Sequence, residues 1–129
     1  MGSDIRRLLV VEDIADARDF MVLALERGGF AVDTAPDGLD ALKRLKLDPP
    51  PHYDLIVLDL VLPRLNGLEL MAELEADPLW RAVPVLIATA TVVFARQFSG
   101  VQRVSILRKP FSAEQLTTAV EALLYRRTG

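Results

Sequence analysis

Short apolar runs alternate along the chain with longer amphipathic stretches. "RLLVVED" is almost solidly apolar until it ends in two acids, which predicts a buried strand. From Ala17 onward Phe20, Met21, Ala24 and Leu25 recur at helical spacing, and Gly28-Gly29 predicts the stop of that helix. "FAVDTA" predicts a second strand, and "PDG" turns into a helix through Leu39, Leu42 and Leu45. "DPPPH" cannot continue regular structure and is a loop. "YDLIVLDL" predicts a third strand, followed by "PRLNG" and a helix around "LELMAELEA". "VPVLIATA" predicts the fourth strand, "VVFARQFS" a short helix, and "VSILRK" the fifth strand. Ser112 and Gln115 have capping-box spacing, opening a last helix with Leu116, Ala119, Val120, Leu123 and Leu124 on one face.

Strand then helix, five times over, is the α/β pattern of a mainly parallel sheet. Strands that are nearly solid Val, Ile and Leu fit a sheet covered on both faces, with right-handed crossovers. A length of 129 residues suits one domain, and 51% hydrophobic with 26% charged residues suits a globular one. Fifteen basic against 18 acidic residues give a net charge of -3, which argues against a broad nucleic-acid footprint. The absence of cysteine excludes disulfides, thiolate catalysis and cysteine-based zinc sites. "AVPVLIATATVVFA" falls short of the roughly 20 apolar residues a bilayer span needs. No signal segment opens the chain, so a cytoplasmic location is expected. The initial Met1-Gly2-Ser3 has the look of a cloning remnant.

Chemistry enters at the strand ends. Asp59 closes the apolar run of "LIVLDLVLP", where an ionised carboxylate is costly unless it is paired or coordinated. In an open parallel sheet, ligands bind outside the carboxyl ends of the strands. Glu12 and Asp13 end the first strand, Asp59 the third, Thr89 the fourth and Lys109 the fifth. Three carboxylates, a hydroxyl and an ammonium are therefore expected at one crevice. Mg²⁺ relieves repulsion among carboxylates and takes oxygen ligands. A carboxylate beside it can attack a phosphoryl group to give an aspartyl phosphate. Lys109 and Thr89 are suitable donors to the phosphoryl oxygens.

The acidic pair in "VVED", the acid in "LIVLDLVLP", the following "NG", the threonine in "LIATA" and the lysine in "RKPF" occur in one order. On these elements the chain resembles, over residues 1–129, a single receiver domain of the two-component response-regulator family, chemotaxis receivers included. The resemblance implies a flavodoxin-like, doubly wound sheet of five parallel strands in the order 2-1-3-4-5. It implies that Asp59 is the phosphoacceptor, that Glu12, Asp13 and Asp59 hold Mg²⁺, and that the Val61 carbonyl completes the protein ligands. Thr89 and Lys109 would bind the phosphoryl group, and the Lys109-Pro110 peptide would be cis. The implied partners are a histidine kinase or phosphotransfer protein and a downstream protein, without direct nucleic-acid or membrane binding; self-association as a homodimer is compatible with it. Such a module catalyses its own phosphorylation and dephosphorylation and turns over no separate substrate.

One position departs from the family. Receivers commonly carry Tyr or Phe three residues before the lysine, as a switch coupled to the threonine; here it is Ile106. A stiff β-branched side chain with no polar tip is expected to stay packed, leaving the signal to the backbone after Thr89 and the segment of Phe94 and Phe98.

Plainer readings stand beside these. Asp13 could cap the first helix, Thr89 could be an ordinary strand residue, and Lys109 a solvated lysine. His52 in the proline loop reads as exposed, and Trp80 as packing on the preceding helix. Glu69, Glu73, Glu75 and Asp77 read as a solvated face. Two other functions compete. A phosphatase of the haloacid-dehalogenase type would carry a second acid two residues after its nucleophile, where this chain has Val61. A degenerate receiver acting as a constitutive docking module would have lost acids or the lysine, and none is lost.

Overall fold

The computed structural model describes residues 5–128; the initial Met1-Gly2-Ser3 lies outside them. Five strands, β1 (Arg7–Val11), β2 (Ala31–Ala35), β3 (Leu55–Leu58), β4 (Val85–Thr89) and β5 (Val104–Arg108), form one parallel sheet in the order β2-β1-β3-β4-β5. Between and after them run α1 (Ala15–Arg27), α2 (Gly38–Leu45), α3 (Gly67–Ala76), α4 (Val92–Ala95) and α5 (Ala113–Thr128). The alternation of periods predicts the α/β parallel sheet, and the doubly wound, flavodoxin-like strand order is the one the family resemblance implies. No helix among the described residues is long and apolar enough to cross a membrane.

Alternate strand residues feed two cores. Leu8, Val10, Leu55, Val57, Leu86 and Ala88 pack against Met21 and Leu25 of α1 and Leu116, Val120 and Leu123 of α5. Leu9, Val11, Ile56, Leu58, Val85 and Ile87 pack against Leu45 of α2, Leu70, Met71 and Leu74 of α3 and Ala95 of α4. The central strands read as solid apolar because both of their faces are covered. Each such fully buried aliphatic side chain contributes about 1.5–3 kcal/mol.

Helix ends follow local chemistry. Ser112 and Gln115 exchange side-chain-to-backbone hydrogen bonds at the start of α5, at 3.0 and 2.8 Å. Asn66 and Glu69 make the same reciprocal box at α3, each bond 2.9 Å. Glu69 therefore has a structural task that a solvated face does not describe. Glu75 pairs with Arg103, and Asp77 with Lys46 at 3.7 Å, so the acidic stretch is pinned rather than free.

Trp80 is buried, as expected, its indole N–H donating to the Leu45 carbonyl at 3.0 Å. His52 is exposed and lies 2.9 Å from Asp54. Phe20 differs from expectation: helical spacing placed it on the buried face of α1, yet it is exposed at the rim of that face, its ring 6.3 Å from Phe111.

The segment after β4 is a single α-turn followed by a 3₁₀ turn, Arg96–Phe98. Phe98 packs on the core while Phe94 is 52% exposed. This bears on Ile106, which ends the row Leu58–Ile87–Ile106 on the face that α4 covers. One helical turn is too little cover for the last strand, and Ile106 is 36% exposed rather than packed.

Tyr53 enters β3 with its hydroxyl donating to Asp33 Oδ2 at 2.7 Å. Burial first, and the bond to Asp33 next, push its pKa up to about 12, against the opposing pull of Arg44. The folded state thus keeps a proton that the unfolded chain loses around its ordinary value of 10.0. This stabilisation is complete below that value and disappears as pH climbs to the folded one. Tyr53→Phe should therefore flatten the fall in urea midpoint between roughly pH 10 and 12. Parallel midpoint curves for the two proteins over that range would rule the linkage out.

Candidate functional site

Strand register assembles the site. Ala35, Val11, Leu58, Ile87 and Ile106 stand in one row across the sheet. Glu12 and Asp59 are the next residues on the adjacent strands β1 and β3, so they leave the sheet side by side. The Glu12 N–H donates to the Ala35 carbonyl at 3.1 Å and the Asp59 N–H to the Val11 carbonyl at 3.2 Å. Thr89 ends β4, and its carbonyl accepts from the Lys109 backbone N–H at 3.0 Å. The Lys109-Pro110 peptide is cis, as is Asp48-Pro49.

The two acids meet on the lysine. Lys109 Nζ lies 2.5 Å from Glu12 Oε1 and 2.8 Å from Asp59 Oδ2. Glu12 is fully buried, and its other oxygen accepts from the Ile14 N–H at 3.2 Å. Asp59 is also buried, with Oδ1 accepting from the Val61 N–H at 3.1 Å. Burial alone would lower the Lys109 pKa, but the hydrogen bonds and charges of Asp59 and Glu12 outweigh it and raise it. The lysine is an ammonium at every physiological pH, and its stabilising pairing is lost only as pH rises past that raised value.

Thr89 is fully buried, and its hydroxyl oxygen accepts from the Thr91 N–H at 3.2 Å, leaving the O–H as a donor. Asp13 is exposed and does not cap α1; the cap residue is Ile14, without a side-chain bond. Instead, the carbonyls of Glu12 and Asp13 accept from Arg18, at 2.9 and 3.5 Å.

The crevice differs in one respect from three converging carboxylates. Among the described residues no three acidic or histidine side chains form a ready-made metal cluster: Lys109 stands between Glu12 and Asp59, and Asp13 is exposed. The donor set still suits a hard cation. Two carboxylates share one ammonium, and the Asp13 carboxylate and Val61 carbonyl take no hydrogen bond among the described residues. Mg²⁺ accepts such mixed oxygen donors and keeps several waters, through which Glu12 could contribute.

The "NG" after the acid has a steric reason. A Cβ on Gly67 would lie 2.4 Å from the Leu60 Cα and 2.5 Å from the Asp59 carbonyl oxygen. Its N–H also donates to the Leu60 carbonyl at 2.9 Å, closing the loop on itself. Asn66 supplies the cap of α3 and Gly67 the close approach.

A family model described as the response regulator receiver domain matches residues 8–121. The chain belongs to this family. As a receiver it is 37% identical over 133 residues to the alkaline phosphatase synthesis transcriptional regulatory protein SphR of Synechococcus elongatus, covering 97% of this chain and 51% of that protein. It is 37% identical over 125 residues to the two-component response regulator PhoP of Pseudomonas aeruginosa, covering 95% and 53%. The receiver thus spans about half the length of the curated relatives it matches. Among solved structures, a sensor protein from Polaromonas sp. JS666 is similar at a TM-score of 0.80 and 26% identity, covering 95% of this chain and 98% of that one. The chemotaxis protein CheY4 of Vibrio cholerae shares the fold at a TM-score of 0.81 and 24% identity, covering 93% and 99%.

Two substitutions probe the site as built. Lys109→Ala strands two buried carboxylates and should cost on the order of 3–5 kcal/mol in chelator, part of it recovered by adding Asp59→Asn. Gly67→Ala should cost about 1–3 kcal/mol through overpacking against backbone. Denaturant midpoints decide both. An unchanged midpoint for Lys109→Ala would mean the ammonium does not hold the acids.

Proposed function

We propose that this receiver accepts a phosphoryl group on Asp59 from a histidine kinase or phosphotransfer protein and thereby switches a protein-interaction surface. The supporting observation is the Asp59 carboxylate, held between the Val61 N–H and the Lys109 ammonium at the carboxyl end of the sheet. An Asp59 oxygen attacks phosphorus; the bond from phosphorus to the donor's nitrogen or oxygen breaks, and its electron pair leaves with the donor. Asp13, Asp59, the Val61 carbonyl and Glu12 are the residues that would hold Mg²⁺. That ion, when bound, supplies positive charge against the negative oxygens of the transferring group. A metabolic enzyme role is not needed, since receivers are signalling modules.

Transfer adds about 1.5 to 2 negative charges beside the lysine. Lys109, shared between Glu12 and Asp59 at rest, then follows the stronger charge, and the Thr89 hydroxyl is free to donate to a phosphoryl oxygen. The backbone bond between Lys109 and Thr89 makes the ends of β4 and β5 move together. Phe94 and Ile106, both exposed on the α4 side, are the apolar side chains placed to report that motion. The output partner is proposed to be a protein. Relatives named as transcriptional regulators make a linked effector domain one form it could take.

Millimolar Mg²⁺ should raise the melting temperature of the chain, and much less that of Asp13→Ala. Acetyl phosphate with Mg²⁺ should add one phosphoryl mass to the chain and none to Asp59→Asn. Full labelling of Asp59→Asn would place the acceptor elsewhere.

A further inference from the structure

The loop that follows Asp59 is anchored at a point no part of the phosphoryl chemistry requires. Arg64 lies at φ 68°, in the left-handed region that favours glycine and disfavours every side chain with a Cβ. Its guanidinium is half exposed, yet it reaches across to Asp37, whose side chain is only 8% exposed. Arg64 Nη1 lies 3.2 Å from Asp37 Oδ2, and Nη2 lies 3.8 Å from Asp40 Oδ1. The other Asp37 oxygen accepts from the Asp40 N–H at 2.8 Å and so caps α2. The next residue, Leu65, presses its carbonyl onto the same helix end: a Cβ on Gly38 would lie 1.8 Å from that oxygen. A residue for which this backbone conformation is unfavourable thus occupies it, and its ion pair is what it gains there.

The loop is short and closed. Its feet are Asp59-Leu60 and Gly67, joined by the Gly67-to-Leu60 hydrogen bond, and Arg64 stands near its apex. Val61, whose N–H orients the Asp59 carboxylate, lies on the strand side of the same loop. Displacement of the apex would reach the group that aims Asp59 through two residues, Pro63 and Leu62.

We infer that Arg64 is a positioning residue: its ion pair to the capping Asp37 of α2 fixes the loop, and through Val61 the Asp59 carboxylate, in the geometry that accepts a phosphoryl group. This rests on Asp59 being the phosphoacceptor. Positioning of this kind acts on the rate of transfer more than on folding, since a carboxylate held ready needs no reorganisation at the moment of reaction. Folding is buffered for two reasons. Glycine at position 64 would remove the backbone cost along with the ion pair. Asp37 would keep its partner at the helix N-terminus, where a negative charge is favourable.

The test compares the parent chain with Arg64→Gly, Arg64→Lys, Asp37→Asn and the double variant Arg64→Gly/Asp37→Asn. Asparagine preserves the cap while removing the charge. Labelling of Asp59 by acetyl phosphate is followed by intact mass at fixed Mg²⁺, over a range of donor concentrations. Amide hydrogen exchange is read in parallel at Val61, Leu62, Gly38 and Leu39 in unlabelled protein. We expect Arg64→Gly to keep a melting temperature close to the parent's. Its maximal labelling rate should fall about fivefold, the factor expected when one modest interaction is lost. Exchange should quicken at Val61 and Leu62. Arg64→Lys should recover part of the rate, Asp37→Asn should match Arg64→Gly, and the double variant should be no slower than either, because both remove one interaction. Labelling of Arg64→Gly at the parent rate or faster overturns the inference, as does strict additivity in the double variant. A parent chain that takes no label overturns the phosphoacceptor reading, and this inference with it.

Discussion

One ammonium between two buried carboxylates is the interaction on which the site depends. Glu12 and Asp59 end adjacent strands at the same level of the sheet, and nothing in the apolar core beneath them can neutralise either. Lys109, brought from the far strand by a backbone bond to Thr89, supplies the missing charge to both. Removing an isolated carboxylate from water costs several kcal/mol even after relaxation, so the lysine is a condition for closing the sheet in this form. One positive charge against two negative ones leaves a net negative charge at this seat, so the acids are neutralised only in part.

That sharing explains how a small chemical event could act at a distance. A lysine that satisfies two acids at rest cannot equally satisfy them once one carries a phosphoryl group. Its redistribution is tied by backbone to Thr89, and Thr89 to the segment that begins α4. This segment is short, one α-turn and then a 3₁₀ turn, with Phe94 half in solvent. Elements with few buried contacts are the ones whose alternative arrangements lie close in free energy. On the proposed function, phosphoryl charge would need to bias only that element, with the two cores left intact.

Sequence pattern revealed the fold where burial was two-sided and long. β1, β3 and β4 are solid apolar because helices cover both faces, and the capping pairs Asn66–Glu69 and Ser112–Gln115 sit at readable spacing. The Asn66 box was nevertheless missed, since Glu69 sits in an acidic stretch that composition alone assigns to solvent. Periodicity marks the direction of a helix face but not its width, so it could not show that Phe20 lies at the rim of α1. Nor does it reveal how much of a strand a neighbouring helix covers. Ile106 looked packed because a stiff apolar side chain has no polar tip to hold in water, and it is exposed because α4 ends after one turn. The site residues were legible as strand-end residues. Lys109 was legible too as a charge that compensates Asp59; its second partner, Glu12, was not, because that contact depends on register and joins side chains ninety-seven positions apart.

The loop between β3 and α3 shows the same limit from the opposite side. "PRLNG" reads as a turn, and Gly67 has a steric reason that follows from the close return of the chain over Asp59. Arg64 carries no such signal: its left-handed backbone and its reach to Asp37 are visible only in three dimensions. The loop is fixed at both ends by different physics. Packing holds the Gly67 side, where backbone touches backbone and no freedom remains. Charge holds the Arg64 side, where a half-exposed guanidinium pairs directly with a buried carboxylate, beside solvent that can screen it. The packed end makes the position of Asp59 reproducible. If Arg64 positions Asp59 as proposed, ionic strength and whatever approaches α2 would act on that carboxylate from a second place, away from Asp59 itself.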